Sequence, residues 1–243
     1  MIEKLILLEL IAHFIGDYYL QTGKIATGKV SSYYYTGIHS LFYAVPHYMV
    51  WYFLAEQDRI LLVYITMVVG SHWLIDTGKV YITTHREKLK TGCLHCLSDG
   101  RKLYVIDQLM HFAVMIIIAY GMKKGMSGAL PQLWKGISVE KLKLLFFVVM
   151  FLQPWYVSGK ILWQNNSKIS NALDFQDLDQ KVMCALWALL IALVPLWGNF
   201  LILSLSVVVL WKSGTKGPKT DKTKSFAMTG VAASLIKWCF IIW

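Results

Sequence analysis

The chain has 243 residues, of which 56% are hydrophobic and 16% charged, with a formal net charge of +10; its mean hydropathy is +0.51. A water-soluble domain carries about 45–50% apolar and about 25% charged residues, so this composition excludes a soluble enzyme, a disordered chain, a collagen-like chain and a secreted disulfide scaffold. Lys and Arg collect between apolar blocks, where a membrane protein meets anionic headgroups; the basic charge therefore does not point to nucleic acid.

In chain order, the apolar blocks predict an all-α, polytopic transmembrane helix bundle forming a single integral membrane domain over residues 1–243. Seven spans are drawn at residues 2–21, 35–55, 59–82, 103–122, 142–162, 182–211 and 226–243. Residues 1–122 form a four-helix N-terminal half, and residues 142–243 supply the C-terminal helices. The first block has no cleavage site after it and reads as a retained span. The sixth block would run about 45 Å as one helix against about 30 Å of hydrocarbon. Pro195 and Trp197-Gly198-Asn199 interrupt it, so eight spans is the alternative. Positive charges divide almost evenly between the two sides of a seven-span drawing and unevenly in an eight-span one, so orientation and span number are one question.

The loop 83–101 contains Cys93-Leu94-His95-Cys96. One such pair is half of a zinc ribbon, and no second pair completes it, so an ordinary reduced loop is expected. The stretch 212–224 is a flexible basic loop expected to touch headgroups. Asp174, Asp177 and Asp179 lie between spans and read as a solvated face.

The informative residues are ionisable ones inside apolar blocks. His13 and Asp17, His72 and Asp76, and Asp107 and His111 are each four apart in three different spans, and His39 lies in a fourth. Residues at i and i+4 share a helix face. Each Asp at a helix centre costs about 2.5–3.5 kcal/mol on the insertion scale, so three demand compensation. A lone intramembrane His is usually packed and hydrogen-bonded, and a lone His/Asp pair is an ordinary interhelical contact. Three pairs at one spacing point instead to a bound cation, since neutral imidazole and carboxylate together ligate metals.

The expected ligands are His13, Asp17, His39, His72, Asp76, Asp107 and His111. They suit one or two divalent ions, zinc first, with manganese or iron as alternatives. Asp107 is the candidate general base if it is not a ligand. Glu9, Gln21 and Gln108 are candidates for the outer layer, with Gln108 expected to face away from Asp107. Lys24, Lys29 and Lys79, near span ends, are candidates to hold an anionic headgroup. His47 is left out as two turns from His39, and His85 and His95 read as solvated. Gly16, Gly37, Gly70 and Gly78 lie near the polar pairs and are expected to let helices approach closely.

The segments His13-Phe-Ile-Gly-Asp17-Tyr-Tyr-Leu-Gln21-Thr22, then His39, then His72-Trp-Leu-Ile-Asp76-Thr-Gly-Lys79, then Asp107-Gln108-Leu-Met-His111 resemble the bacterial membrane family catalogued as domain of unknown function 3307. The resemblance covers roughly residues 8–112. It is loose in the second half, where the family's usual Gly-Arg segment is not clear. It implies a multi-pass protein of the bacterial cytoplasmic membrane and gives no activity. A more distant likeness is to the YdjM-type membrane-bound metal-dependent hydrolases. Three functions are therefore carried forward. The first is a metal-dependent hydrolase for an amphiphilic or lipid-linked substrate, with membrane lipids as its partners. The second is an ion- or proton-coupled transporter using the same residues. The third is a non-catalytic scaffold with a structural metal.

Overall fold

A computed structural model describes residues 2–54, 59–85, 99–121 and 136–162, together with Thr229, Val231, Ala233 and Ser234. The described residues are helical, with no strands among them. The predicted sixth span, nearly all of the seventh, the Cys93/His95/Cys96 loop, the acidic run at 174–179 and the basic stretch at 212–224 lie outside the described residues. The chain divides into two units, Met1–Leu142 and Lys143–Trp243.

In the first unit, α1 (Ile2–Phe14) leads into a widened turn over Ile15–Tyr19. That turn closes with an i+5 hydrogen bond, Leu20 N–H to the Ile15 carbonyl at 3.0 Å. Such π-type turns re-aim side chains and recur at functional sites; here the turn carries Asp17. A short helix, α2 (Gly23–Gly28), follows, capped by Thr22, whose Oγ1 accepts from the Ile25 N–H at 3.3 Å. The Gln21-Thr22 pair thus ends the first apolar block with a helix cap. Then come α3 (Tyr33–Leu54), α4 (Arg59–Thr84) and α5 (Gly100–Gly121). Asp99 caps α5 through Oδ1, 2.9 Å from the Arg101 N–H. The hydrogen bonds of the Arg101 side chain and backbone hold its carboxyl below the usual range.

Helices α1, α3, α4 and α5 close a ring: α1 packs on α3 and α5, α3 on α4, and α4 on α5. Large apolar side chains cover its outside as well as much of its inside, and a polar cluster is buried among them. Leu41 is 72% exposed, Ile117 67% and Leu74 63%, while the seven candidate ligands are each at most 4% exposed. Helices α4 and α5 are long and apolar enough to cross a membrane. In α3 the length suffices, but its histidines and tyrosines dilute the hydropathy.

The predicted fifth span is not one helix. It divides into α6 (Val139–Leu152) and α7 (Pro154–Leu162). Pro154 has no N–H to continue the ladder and its fixed φ suits a first helical turn, so it starts a new helix. The expectation about glycines also needs correcting. A Cβ on Gly37, Gly70 or Gly78 would meet nothing within 4 Å. At Gly16 it would lie 2.9 Å from Tyr43 Cδ2 and 3.0 Å from Tyr43 Cα, so of these four glycines Gly16 alone lets helices approach closely; Gly28, not singled out in sequence, does the same against the Tyr35 ring of α3. Whether a glycine faces a neighbour depends on helix rotation, which its sequence position does not reveal. Gly16→Ala is expected to cost about 1–3 kcal/mol through overpacking, and Gly37→Ala to be neutral or stabilising. Thermal unfolding of the two purified variants checks this; equal midpoints would contradict it.

Candidate metal centre

Four helices bring their polar residues to one level. Asp17 lies just before the end of the first apolar block, His39 six residues into α3, Asp76 eight residues before the end of α4, and Asp107 seven residues into α5. At 1.5 Å per residue the last three lie about 9–12 Å from the same end of the ring. The i, i+4 spacing turns each imidazole and its carboxylate inward together. His13 Nε2 is 3.8 Å from Asp17 Oδ2, His72 Nε2 is 3.4 Å from Asp76 Oδ2, and His111 Nδ1 is 3.9 Å from Asp107 Oδ1.

The pairs also meet across helices. His39 Nε2 is 2.9 Å from Asp17 Oδ1, 3.5 Å from Asp76 Oδ2 and 3.2 Å from His72 Nε2. His111 Nε2 is 4.0 Å from Asp76 Oδ1, and the His72 and His111 rings are centred 4.3 Å apart. Two triplets have ligand atoms mutually within 4.8 Å: Asp17, His39 and His72, and His72, Asp76 and His111. His72 belongs to both. His13 and Asp107 stand beside these groups without joining either triplet.

The lysines differ. Lys29 reaches in from the end of α2, with Nζ donating to Asp17 Oδ1 at 2.8 Å and lying 3.0 Å from His39 Nε2. Lys79 donates to Asp107 Oδ2 at 2.7 Å. Lys24 is exposed, and no bond ties it to the cluster. Gln108 faces the cluster, contrary to expectation: Nε2 lies 3.4 Å from Asp17 Oδ2 and 3.3 Å from Asp107 Oδ2, and Oε1 accepts from the Tyr18 hydroxyl. Neighbouring residues on a helix point about 100° apart, but that angle is small enough for both to line one polar centre. Gln21 Oε1 is buried and unpartnered.

Two residues missed in the sequence reading matter. Tyr43 is wholly buried, stacks on His72 with ring centres 3.5 Å apart, and its hydroxyl lies 3.1 Å from His13 Nδ1. His47 is fully buried against Glu9, with Nδ1 2.5 Å from Oε2. Glu9 therefore belongs to a second polar pair, further along α1 and α3. The signal was present: Tyr43 and His47 continue the four-residue spacing from His39.

The donor set fits a cation. His39 Nε2 offers one proton or one lone pair, yet three polar atoms crowd it within 3.2 Å. His72 Nδ1, Asp76 Oδ2, Asp107 Oδ1 and both His111 nitrogens have no hydrogen-bond partner. Buried polar atoms are seldom left so. Bonds of about 2.0–2.2 Å to a tetrahedral ion put neighbouring ligand atoms about 3.4 Å apart; His72 Nε2 lies 3.4 Å from Asp76 Oδ2 and His111 Nε2 4.0 Å from the other oxygen, Oδ1, and one ligand atom from each of the three residues falls within 4.8 Å of the others.

A family described as protein of unknown function (DUF3307) matches the chain over residues 5–134, a segment that contains the whole cluster. No curated protein and no solved structure matches the chain.

Proposed function

The chain belongs to the DUF3307 family, and on that footing we propose that it is a multi-pass protein of the cell membrane that binds one divalent metal ion and hydrolyses an amphiphilic or lipid-linked substrate. The observation that carries this reading is the buried His72, Asp76 and His111 triplet. Among the described residues no ammonium is bonded to it. The Asp17, His39 and His72 triplet, by contrast, already holds the Lys29 ammonium. Two imidazoles and a carboxylate with a position left open is the ligand set of catalytic zinc, and of non-haem iron(II). Zinc is the first choice.

Charge supports one ion rather than two. Three carboxylates, Asp17, Asp76 and Asp107, face two ammoniums, Lys29 and Lys79. With neutral histidines a single divalent ion leaves a net charge of one; a second would leave three in a low-dielectric site. A bound ion of this kind supplies a Lewis acid and acidifies a water molecule at neutral pH.

The chain's own groups divide the remaining work. Asp107 stands outside both triplets. Its Oδ2 is held by Lys79 and Gln108, while Oδ1 has no hydrogen-bond partner and is free to accept a proton. Tyr43 fixes the planes of His72 and His13 by stacking and hydrogen bonding. Large apolar side chains outside and a polar cluster buried within support immersion in lipid, and the cluster's depth suits a substrate whose head lies near the membrane surface.

A second reading, ion- or proton-coupled transport, draws on the continuation of the polar residues along α1 and α3 to Glu9 and His47. One experiment separates the two. The detergent-purified protein and Asp107→Asn are assayed for metal content and for turnover of a panel of lipid phosphates and acyl lipids. The hydrolase reading predicts one metal per chain in both proteins and at least a hundredfold loss of turnover in the variant. Metal-free, folded wild type that moves protons across vesicles would favour transport.

A further inference from the structure

A cleft of about 340 Å³ opens between α4 and α5. Its walls are apolar, with Leu74, Ile82, Ile106 and Met110 among them, and among the described residues its polar lining is Lys79 and Asp107. Binding pockets commonly have this make-up, an apolar lining with a few placed polar groups, and this volume falls at the small end of their range of about 300–1,000 Å³. Gly78 lies in the wall and faces open space, with nothing within 4 Å of where its Cβ would stand.

From these features we infer that the cleft is a lipid site, which takes one acyl chain of an anionic phospholipid with a hydroxylated head and seats that head on Lys79 and Asp107. This rests on the proposed membrane placement and hydrolase reading and specifies the substrate class for it. The walls belong to the two helices long and apolar enough to span a bilayer, and Leu74, Ile106 and Met110 are exposed on their outer faces. A chain can therefore enter sideways from the hydrocarbon. At its polar end the cleft meets two unlike groups. The Lys79 side chain is 20% exposed, its ammonium bonded on one side to Asp107 Oδ2 at 2.7 Å with two further N–H groups to offer a phosphate, and it sits about 7–8 Å from the end of α4. Asp107 Oδ1 is buried without a hydrogen-bond partner. A carboxylate oxygen repels a phosphate but accepts from a hydroxyl. The complementary head thus carries a phosphate on one side and an alcohol close by, as in phosphatidylglycerol. A choline head offers no hydroxyl and puts a cation where Lys79 already is.

Native mass spectrometry tests the site. The protein is exchanged into mixed micelles containing phosphatidylglycerol, phosphatidylcholine or chain-free glycerol phosphate, and retained ligand and metal are measured together. The wild type is expected to keep one phosphatidylglycerol at least tenfold more often than phosphatidylcholine, and not to retain glycerol phosphate. Gly78→Leu puts an isobutyl group into the cleft from a position where its Cβ meets nothing within 4 Å, and is expected to lose phosphatidylglycerol at least tenfold with its metal content unchanged. Equal retention of the two phospholipids, or undiminished retention in folded Gly78→Leu, would overturn the site and leave the metal reading standing. Selective retention by a chain that holds no metal would do the opposite.

Discussion

Replacing His72 with Phe is expected to abolish metal binding while leaving the fold in place. His72 is the one residue shared by both triplets. A phenyl ring can keep the stack on Tyr43, now 3.5 Å between ring centres, and removes both ring nitrogens: Nε2, which faces Asp76, and Nδ1, which has no hydrogen-bond partner. Loss of a directly bound ligand should exceed the 10–100-fold typical of outer-layer changes, so metal content should fall from about one ion per chain to below about a tenth. The companion variants locate the seat. Asp76→Asn should behave like His72→Phe. Asp17→Asn should keep its metal, because Asp17 is occupied by Lys29 and lies outside the proposed His72, Asp76 and His111 seat. Metal analysis of the three purified variants reads this directly. Metal lost in Asp17→Asn and kept in Asp76→Asn would move the seat to the first triplet.

The second large effect is expected away from the metal. Glu9 and His47 are fully buried and joined through Oε2 and Nδ1, and their other polar atoms, Glu9 Oε1 and His47 Nε2, have no hydrogen-bond partner. Removing one member leaves the other buried alone, at a cost of about 3 kcal/mol, since breaking a buried pair costs far more than replacing it. Glu9→Leu should therefore lower the unfolding temperature by about 6–12 °C in a chain of this size. The double variant Glu9→Leu/His47→Leu should recover most of that loss, with metal content unchanged throughout. Thermal unfolding of the singles and the double forms the cycle; strictly additive losses would mean that the two side chains do not depend on each other.

What could be read from the sequence follows from cost. An Asp or His inside an apolar block is expensive, so its presence stands out, and the i, i+4 rule turns three such pairs into three inward stripes. His13/Asp17, His72/Asp76 and Asp107/His111 were legible for that reason, and so was the family likeness built on them. Tyr43 and His47 share the face of His39, yet tyrosines are ordinary near membrane surfaces and His47 was set aside as two turns from His39; α3 runs unbroken through Pro46 and brings His47 onto Glu9. Lys29 and Lys24 looked alike in sequence. The capped turn of α2 separates them, leaving one exposed and sending the other into the site. The break at Pro154 was missed because hydropathy measures the length of an apolar run and is blind to a missing N–H. The depth of the cluster, near one end of the helices, follows from where each helix starts, and helix ends are the least sharply written feature of a sequence.

The most direct measurement of the central claim is X-ray absorption at the metal edge of the purified, detergent-solubilised protein. The account predicts a single ion in a shell of nitrogen and oxygen only, at about 2.0–2.2 Å, with the multiple-scattering pattern of two imidazoles. A shell containing sulfur at about 2.3 Å would assign the metal to cysteine instead, and together with a folded, metal-free His/Asp cluster it would contradict the account.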